Sequence, residues 1–205
     1  MFMPKTLISL FDHSGNWSRP YRKNGWTIHQ IDIKLGIDLL TWDYTSIGHP
    51  DVIRLLIAMP CTDYALSGAK HFQRKDKDGT TAASQRLLER VKTIIDYYDS
   101  LGTLASWTLE NPMSRIHTLN PWLGPIALQF HPCDYAGYDP IPTNSRYNKR
   151  TCLWGKFSSP VPKYLPPLQK ENPGWRSLGG KSERTKELRS ITPLGFAYAY
   201  YQANH

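Results

Sequence analysis

The chain has 205 residues, 40% of them hydrophobic, with 7 Trp and 12 Tyr, which is enough apolar material for a core of its own and excludes an intrinsically disordered segment. No apolar run approaches the roughly 20 residues that span a bilayer, and the N-terminal apolar run carries no small-residue cleavage pattern, so no membrane association is expected and the cytoplasm is the expected compartment. A net charge of +8 and a pI near 9.4 point to a polyanionic partner.

Taken in order, Thr6-Leu7-Ile8-Ser9-Leu10-Phe11 reads as a buried strand by composition. It feeds a small-residue turn, Asp12 to Ser18, and a short helix from Ser18 to about Asn24 that Gly25 ends. A strand, a small-residue turn and a helix together present backbone N–H groups to a ligand in α/β folds. The turn holds one glycine, so it is not a GxGxxG cradle. Trp26 to Asp32 reads as a second strand ending in a carboxylate about twenty residues after the turn, the placement that grips ribose hydroxyls. Asp38, after Gly36, is expected at a third strand end, facing an adenine amino group. Together these acids favour an adenosine-containing ligand.

Asp51 to Ala58 is a third apolar run, and it stops abruptly at Pro60-Cys61. A cysteine at the mouth of a buried strand is held rigidly and still reaches a substrate, the setting of a nucleophile. Ser67 to Gly79 lacks an apolar period and is rich in glycine and cations, which predicts a mobile basic loop that offers Ser67, Lys70, Arg74 and Lys75 to phosphates. The clearest helix runs from Thr81 to about Leu101: Leu87, Leu88, Val91, Ile94, Ile95 and Tyr98 share one face, and Gly102 ends it. It returns the chain to a parallel strand, Leu104 to Leu109, that delivers Glu110.

Met113 to Leu119 reads as a short helical turn, and Ile126 to His131 and Arg150 to Gly155 as two more strands. The loop between those strands, rich in Tyr, Pro and cations, contributes Arg146 and Lys149 as further phosphate contacts. Prolines and glycines dominate from Ser158 to Leu178, an extended irregular segment, followed by a flexible basic link with Lys181 and Arg184. Thr192-Pro193 opens a final aromatic helix through Phe196, Tyr200 and Tyr201. The three cysteines are far apart, and His131-Pro132-Cys133 lacks a second half, so neither a disulfide framework nor a metal site is expected. Alternating strands and helices with ligand groups at strand ends predict one α/β, Rossmann-like domain over residues 1–205, with a mostly parallel sheet and its site along the carboxyl edge.

The series Phe11-x-x-x-Gly15, Asp32, Asp38, Pro60-Cys61, Glu110-Asn111, Arg150 and Arg189-x-x-Thr192-Pro193 resembles the DNA (cytosine-5) methyltransferase family over about residues 6–155, with a looser match near the C-terminus. Pro-Cys and Glu-Asn at the ends of consecutive strands form its most specific part. The resemblance implies an S-adenosylmethionine-dependent methyltransferase fold, with the cofactor near Phe11, Asp12, Ser14, Gly15, Trp17, Asp32, Ile33, Asp38 and Pro60. It makes Cys61 the nucleophile, sets Glu110 against N3 and Arg150 against O2 of a cytosine flipped out of duplex DNA, and implies methylation of cytosine C5. The chemistry needs Cys61 partly deprotonated and Glu110 available as an acid near neutral pH.

Several positions depart from the family pattern. His13 and Asn16 stand where glycines are usual, Thr62-Asp63-Tyr64 replaces Gln-x-Phe after Pro-Cys, and Pro112 follows Glu-Asn. The Gln-x-Arg-x-Arg element is reduced to Arg150, with Arg146 and Lys149 nearby. Only about 35 residues separate Trp154 from Arg189, where the family carries a target-recognition domain. Residues 156–188 are therefore expected to be an irregular segment in its place, with low or short sequence specificity, or recognition supplied by a partner or a second copy. Such compact forms resemble phage and prophage enzymes that modify DNA to evade restriction. RNA or a free nucleotide as substrate stays open at this point, as does a non-catalytic relative that binds DNA or cofactor; the Cys61/Glu110 pair argues against the last.

Overall fold

Two strands rich in Leu and Ile, β1 (Lys5–Leu10) and β3 (Val52–Ala58), pair in parallel within a six-stranded sheet. The computed structural model describes residues 5–48, 50–168, 187–188 and 190–205. β2 (Thr27–Ile31) lies beyond β1, and β4 (Leu104–Pro112) beyond β3. β5 (Leu128–Phe130) and β6 (Thr151–Lys156) complete the order β2-β1-β3-β4-β6-β5. The first four strands are parallel; β6 runs antiparallel to both β4 and β5. The result is an α/β fold with a mostly parallel sheet, compatible with the expected Rossmann-like class.

The side-chain alternation of the central strands feeds two cores, one per face. Ile8, Leu10, Ile53, Leu55 and Ile57 face the first, where α3 (Thr80–Ser100) packs Leu88, Val91, Ile94, Ile95 and Tyr98 against them and the short α4 (Ile116–Leu119) adds Ile116. Leu7, Leu56 and Leu153 face the second, covered by α1 (Arg19–Lys23) and α5 (Leu194–Ala203) through Tyr21, Phe196 and Tyr200. Each fully buried aliphatic or aromatic side chain contributes about 1.5–3 kcal/mol. Among the described residues no helix is long and apolar enough to cross a membrane.

The antiparallel pairing of β4 with β6 depends on one glycine. Gly155 sits at φ +127°, and a Cβ there would collide with the carbonyl oxygen of Trp107. Gly155→Ala is expected to destabilise the protein by about 2–4 kcal/mol, combining steric overlap with an unfavourable backbone region, measured by chemical denaturation.

Three expectations differ from the structure. The predicted mobile basic loop is ordered: a 3₁₀ turn (Leu66–His71) runs into α2 (Phe72–Lys77). Its buried side is built on Lys75 rather than an apolar stripe, so no hydrophobic period marks it. Asp38 ends no strand; after β2 the chain passes through a 3₁₀ turn (Ile33–Leu35), and the Asp38 carboxylate accepts from Leu40 N at 2.9 Å, opening a turn. Pro193 is the N-cap of α5 and not part of its first turn.

Candidate active site

β1 has β2 on one side and β3 on the other, so the crevice outside the carboxyl ends of β1 and β3 is the topological switch point, where open α/β sheets bind ligands. Register brings the singled-out residues to that edge. Leu10 lies opposite both Ile31 and Ile57, so Phe11 and Asp32 leave the sheet side by side. Ala58 lies opposite Glu110, so the chain that continues to Cys61 leaves β3 beside the strand bearing Glu110. Because β6 is antiparallel, it starts at this same edge with Thr151 opposite Pro112, which brings in Lys149 and Arg150.

Cys61 is half-buried and follows an exposed Pro60. Its carbonyl accepts from Tyr64 N at 3.1 Å and Ala65 N at 2.9 Å, a tight turn that opens the loop. Asn111, fully buried, donates from Nδ2 to Met59 O at 2.9 Å and so ties the end of β4 to the segment entering Pro60-Cys61. Beyond Cys61, Lys75 donates to Thr62 O and to Asp63 Oδ1, each at 2.6 Å, while Ser84 donates to Asp63 Oδ2. Arg115 adds a bond to Asp63 O at 3.2 Å and holds Asp76 through two donors, at 2.9 and 2.7 Å. That guanidinium is the main reason the Asp76 carboxyl is held down at about 2. Removing Lys75 or Asp63 alone leaves a buried, unpaired charge and costs about 3–5 kcal/mol.

Glu110 is half-buried as a residue, but its Oε1 is sealed from solvent and has no hydrogen-bond partner among the described residues. Burial pushes the Glu110 carboxyl above its ordinary range, and the positive charge of Lys149 offsets part of that. The protonated form is therefore favoured more than in water, which equips the group to donate a proton. Cys152, opposite Asn111, is fully buried; burial, then the Glu110 charge, pushes its thiol up to about 11. Arg150 is exposed and its charge acts on Cys152, whereas Lys149 acts on Glu110. Sequence reasoning gave Lys149 to phosphate and missed its place beside the acid; the signal was the Lys-Arg pair preceding β6.

The turn after β1 carries backbone strain at one position. Phe11, at φ +60°, is the only non-glycine with positive φ among the described residues, and its N–H donates to Ile31 O at 2.8 Å. Gly15 supplies the next positive φ, +65°, and donates to Asp12 O. Asp12 is buried and points inward, accepting from Ser9, Ser14 and both the backbone and hydroxyl of Ser18. Its carboxylate is committed to shaping the turn. Trp17, expected beside the cofactor, is fully buried in the second core, edge-on to Tyr200 at 5.7 Å and packed on Phe196; α5 covers it. By contrast Ile33 is 69% exposed next to the half-buried Asp32 at the end of β2, and Phe11 and Ser14 are half-buried at the same edge. An apolar side chain thus lies beside a carboxylate at the switch point. The two ends of the resemblance also meet: Asn16 Nδ2 donates to Thr192 O at 3.3 Å, beside a cavity of about 320 Å³ that Tyr147 and Pro193 help line.

No family model matches this chain, and no curated protein matches it.

The cationic residues divide by environment. Ser67 and Lys70 are exposed on the 3₁₀ turn, and Arg74 is exposed on α2, paired with Asp78. Lys75, expected to contact phosphate, is instead buried and committed to Asp63 and Thr62. Arg146 is half-buried and donates to Pro166 O at 2.8 Å. Lys181, Arg184 and Arg189 lie outside the described residues. Among the described residues no group of three or more His, Cys, Asp or Glu is arranged to hold a metal ion.

Proposed function

We propose that the protein is a DNA (cytosine-5) methyltransferase that uses S-adenosylmethionine. The observation that carries this reading is the pairing of Ala58 with Glu110, which sets the strand leading to Cys61 beside a carboxyl near the end of β4 that is desolvated and has an oxygen with no partner among the described residues. The sheet with a switch point at β1/β3, the strained Phe11 and the Asp32-Ile33 step support the cofactor assignment.

Carbon 5 of cytosine is a poor nucleophile. Cys61, as thiolate, bonds to C6 while Glu110 gives its proton to N3, and the ring's electron density moves to C5 as an enamine. The cofactor supplies an electrophilic methyl group on a sulfonium. After C5 has taken the methyl, a base removes the C5 proton, the C6–S bond breaks with its electrons returning to Cys61, and the N3 proton leaves, restoring the ring. Asn111 holds the Pro60-Cys61 segment against β4 throughout, and the positive charge of Lys149, by offsetting part of the effect of burial, keeps Glu110 a stronger acid than burial alone would leave it. Arg150, exposed at the same edge, reaches toward O2 of the base. The base must leave its stack, at a cost of a few kcal/mol, and contacts to the flanking phosphates help to offset that cost.

Incubation with labelled S-adenosylmethionine and DNA, RNA or dCTP in parallel, followed by digestion to nucleosides, tests the reading. Label in 5-methylcytosine from DNA is the expected result. No label in any DNA sequence tried overturns it, and label confined to RNA or dCTP reassigns the substrate. Replacing Lys70 and Arg74 by Ala is expected to weaken DNA binding and reduce the slope of log K against log salt by about 1 for each phosphate no longer neutralised. An unchanged slope removes both residues from the interface.

A further inference from the structure

Among the described residues Lys75 is the only lysine or arginine that is buried, and both partners of its ammonium lie directly after Cys61. The bonds converge from three separate elements. Lys75 comes from α2, Ser84 from α3, and Arg115 from the segment after β4, and all three close on Thr62-Asp63. The carbonyl of Cys61 is bound in turn by Tyr64 N and Ala65 N. The two peptide groups that follow Cys61 are thus both fixed, and with them the direction of its Cα–Cβ bond.

The fold alone does not call for such an arrangement. A buried ion pair is commonly matched or bettered in stability by apolar residues of similar volume, whereas its directional bonds hold a turn in one geometry. α2 also lacks the apolar stripe that would have docked it by packing, and its inward side is given to Lys75.

We infer that Lys75 is a positioning residue for Cys61: through Thr62 O and the Asp63 carboxylate it aims the thiol at the substrate. The inference rests on the proposed role of Cys61 as nucleophile. A displacement of about 1 Å in a reacting group costs on the order of 10²-fold in rate, which sets the expected effect.

The test uses Lys75→Met combined with Asp63→Leu, so that no lone charge is left buried, alongside Lys75→Met alone, all normalised to folded protein by circular dichroism. The double variant is expected to lose on the order of 10²-fold in kcat with KM for DNA unchanged. Its Cys61 should also react faster with iodoacetamide, followed on the Cys61 peptide by mass spectrometry, because the turn has lost its anchor. Unchanged kcat per folded molecule, or a change confined to KM, overturns the inference and leaves Lys75 a structural role. The alkylation arm needs neither DNA nor cofactor. If the parent protein shows no methyl transfer, the proposed function fails by itself, and the alkylation rate still decides Lys75: faster in the double variant supports it, unchanged overturns it.

Discussion

Cys61→Ala is expected to lower methyl transfer by on the order of 10³-fold or more and to abolish the covalent complex with DNA containing 5-fluorocytosine. The fluorine matters because the step after methyl transfer removes a substituent from C5. A proton leaves readily and a fluorine does not, so the C6–S bond stays formed and the protein remains attached to the DNA. Denaturing gel electrophoresis reads that attachment directly. The thiol is half-buried and its turn is held by main-chain bonds from Tyr64 and Ala65, by Asn111 from β4 and by Lys75 from α2. Removing one sulfur atom should therefore leave those bonds in place, with a stability change within about 1 kcal/mol. Full activity in Cys61→Ala would falsify the mechanism.

Glu110→Gln is expected to act in two opposite directions. Activity falls by about 10²–10⁴-fold, because an amide cannot give a proton to N3. Stability at neutral pH rises. Burial raises the Glu110 carboxyl above its ordinary 4.5, so between 4.5 and the raised value the folded state holds more protons than the unfolded one. Stability therefore falls as pH rises through that window, and the cost of the buried charge is fully present above it. Gln carries no charge and escapes this loss. Thermal melts of the two proteins should nearly coincide at pH 4 and diverge as pH rises, with the variant the more stable of the two at pH 8. Parallel melting curves across that range would mean that Glu110 is not the desolvated acid the chemistry requires. A group that costs the fold stability and has an oxygen with no partner among the described residues is the kind retained for reactivity rather than for packing.

The parts of the site that were legible in the sequence share a local cause. β1 and β3 stand out because Leu7, Ile8 and Leu10 in one and Ile53, Leu55, Leu56 and Ile57 in the other supply apolar side chains to both faces of the sheet. Punctuation by Pro60 and by Asn111-Pro112 marks where each stops, so a cysteine and a carboxyl at strand mouths stand out. The Leu88, Val91, Ile94, Ile95 and Tyr98 face of α3 is equally local, a matter of helical period.

What escaped the sequence depended on residues far away in the chain. Trp17 sits in a turn that suggests a ligand contact, and only α5, about 180 residues later, buries it against Phe196 and Tyr200. Lys75 looks like one cation among several until Asp63 is found beside it. Asp38 follows a glycine as a strand-end acid would, yet no strand precedes it; that stretch makes its hydrogen bonds in local turns.

By itself, then, the sequence determined the order of the six strands, the long helix α3 and the places near the ends of β3 and β4 where Cys61 and Glu110 stand, because composition and periodicity are properties of neighbouring residues. The tertiary structure alone decided strand direction and burial. The antiparallel course of β6 carries Lys149 and Arg150 to the edge where Glu110 lies, and packing decides which cation faces solvent and which is sealed against a carboxylate. Both follow from hydrogen bonds and contacts between segments dozens of residues apart, which no local pattern records.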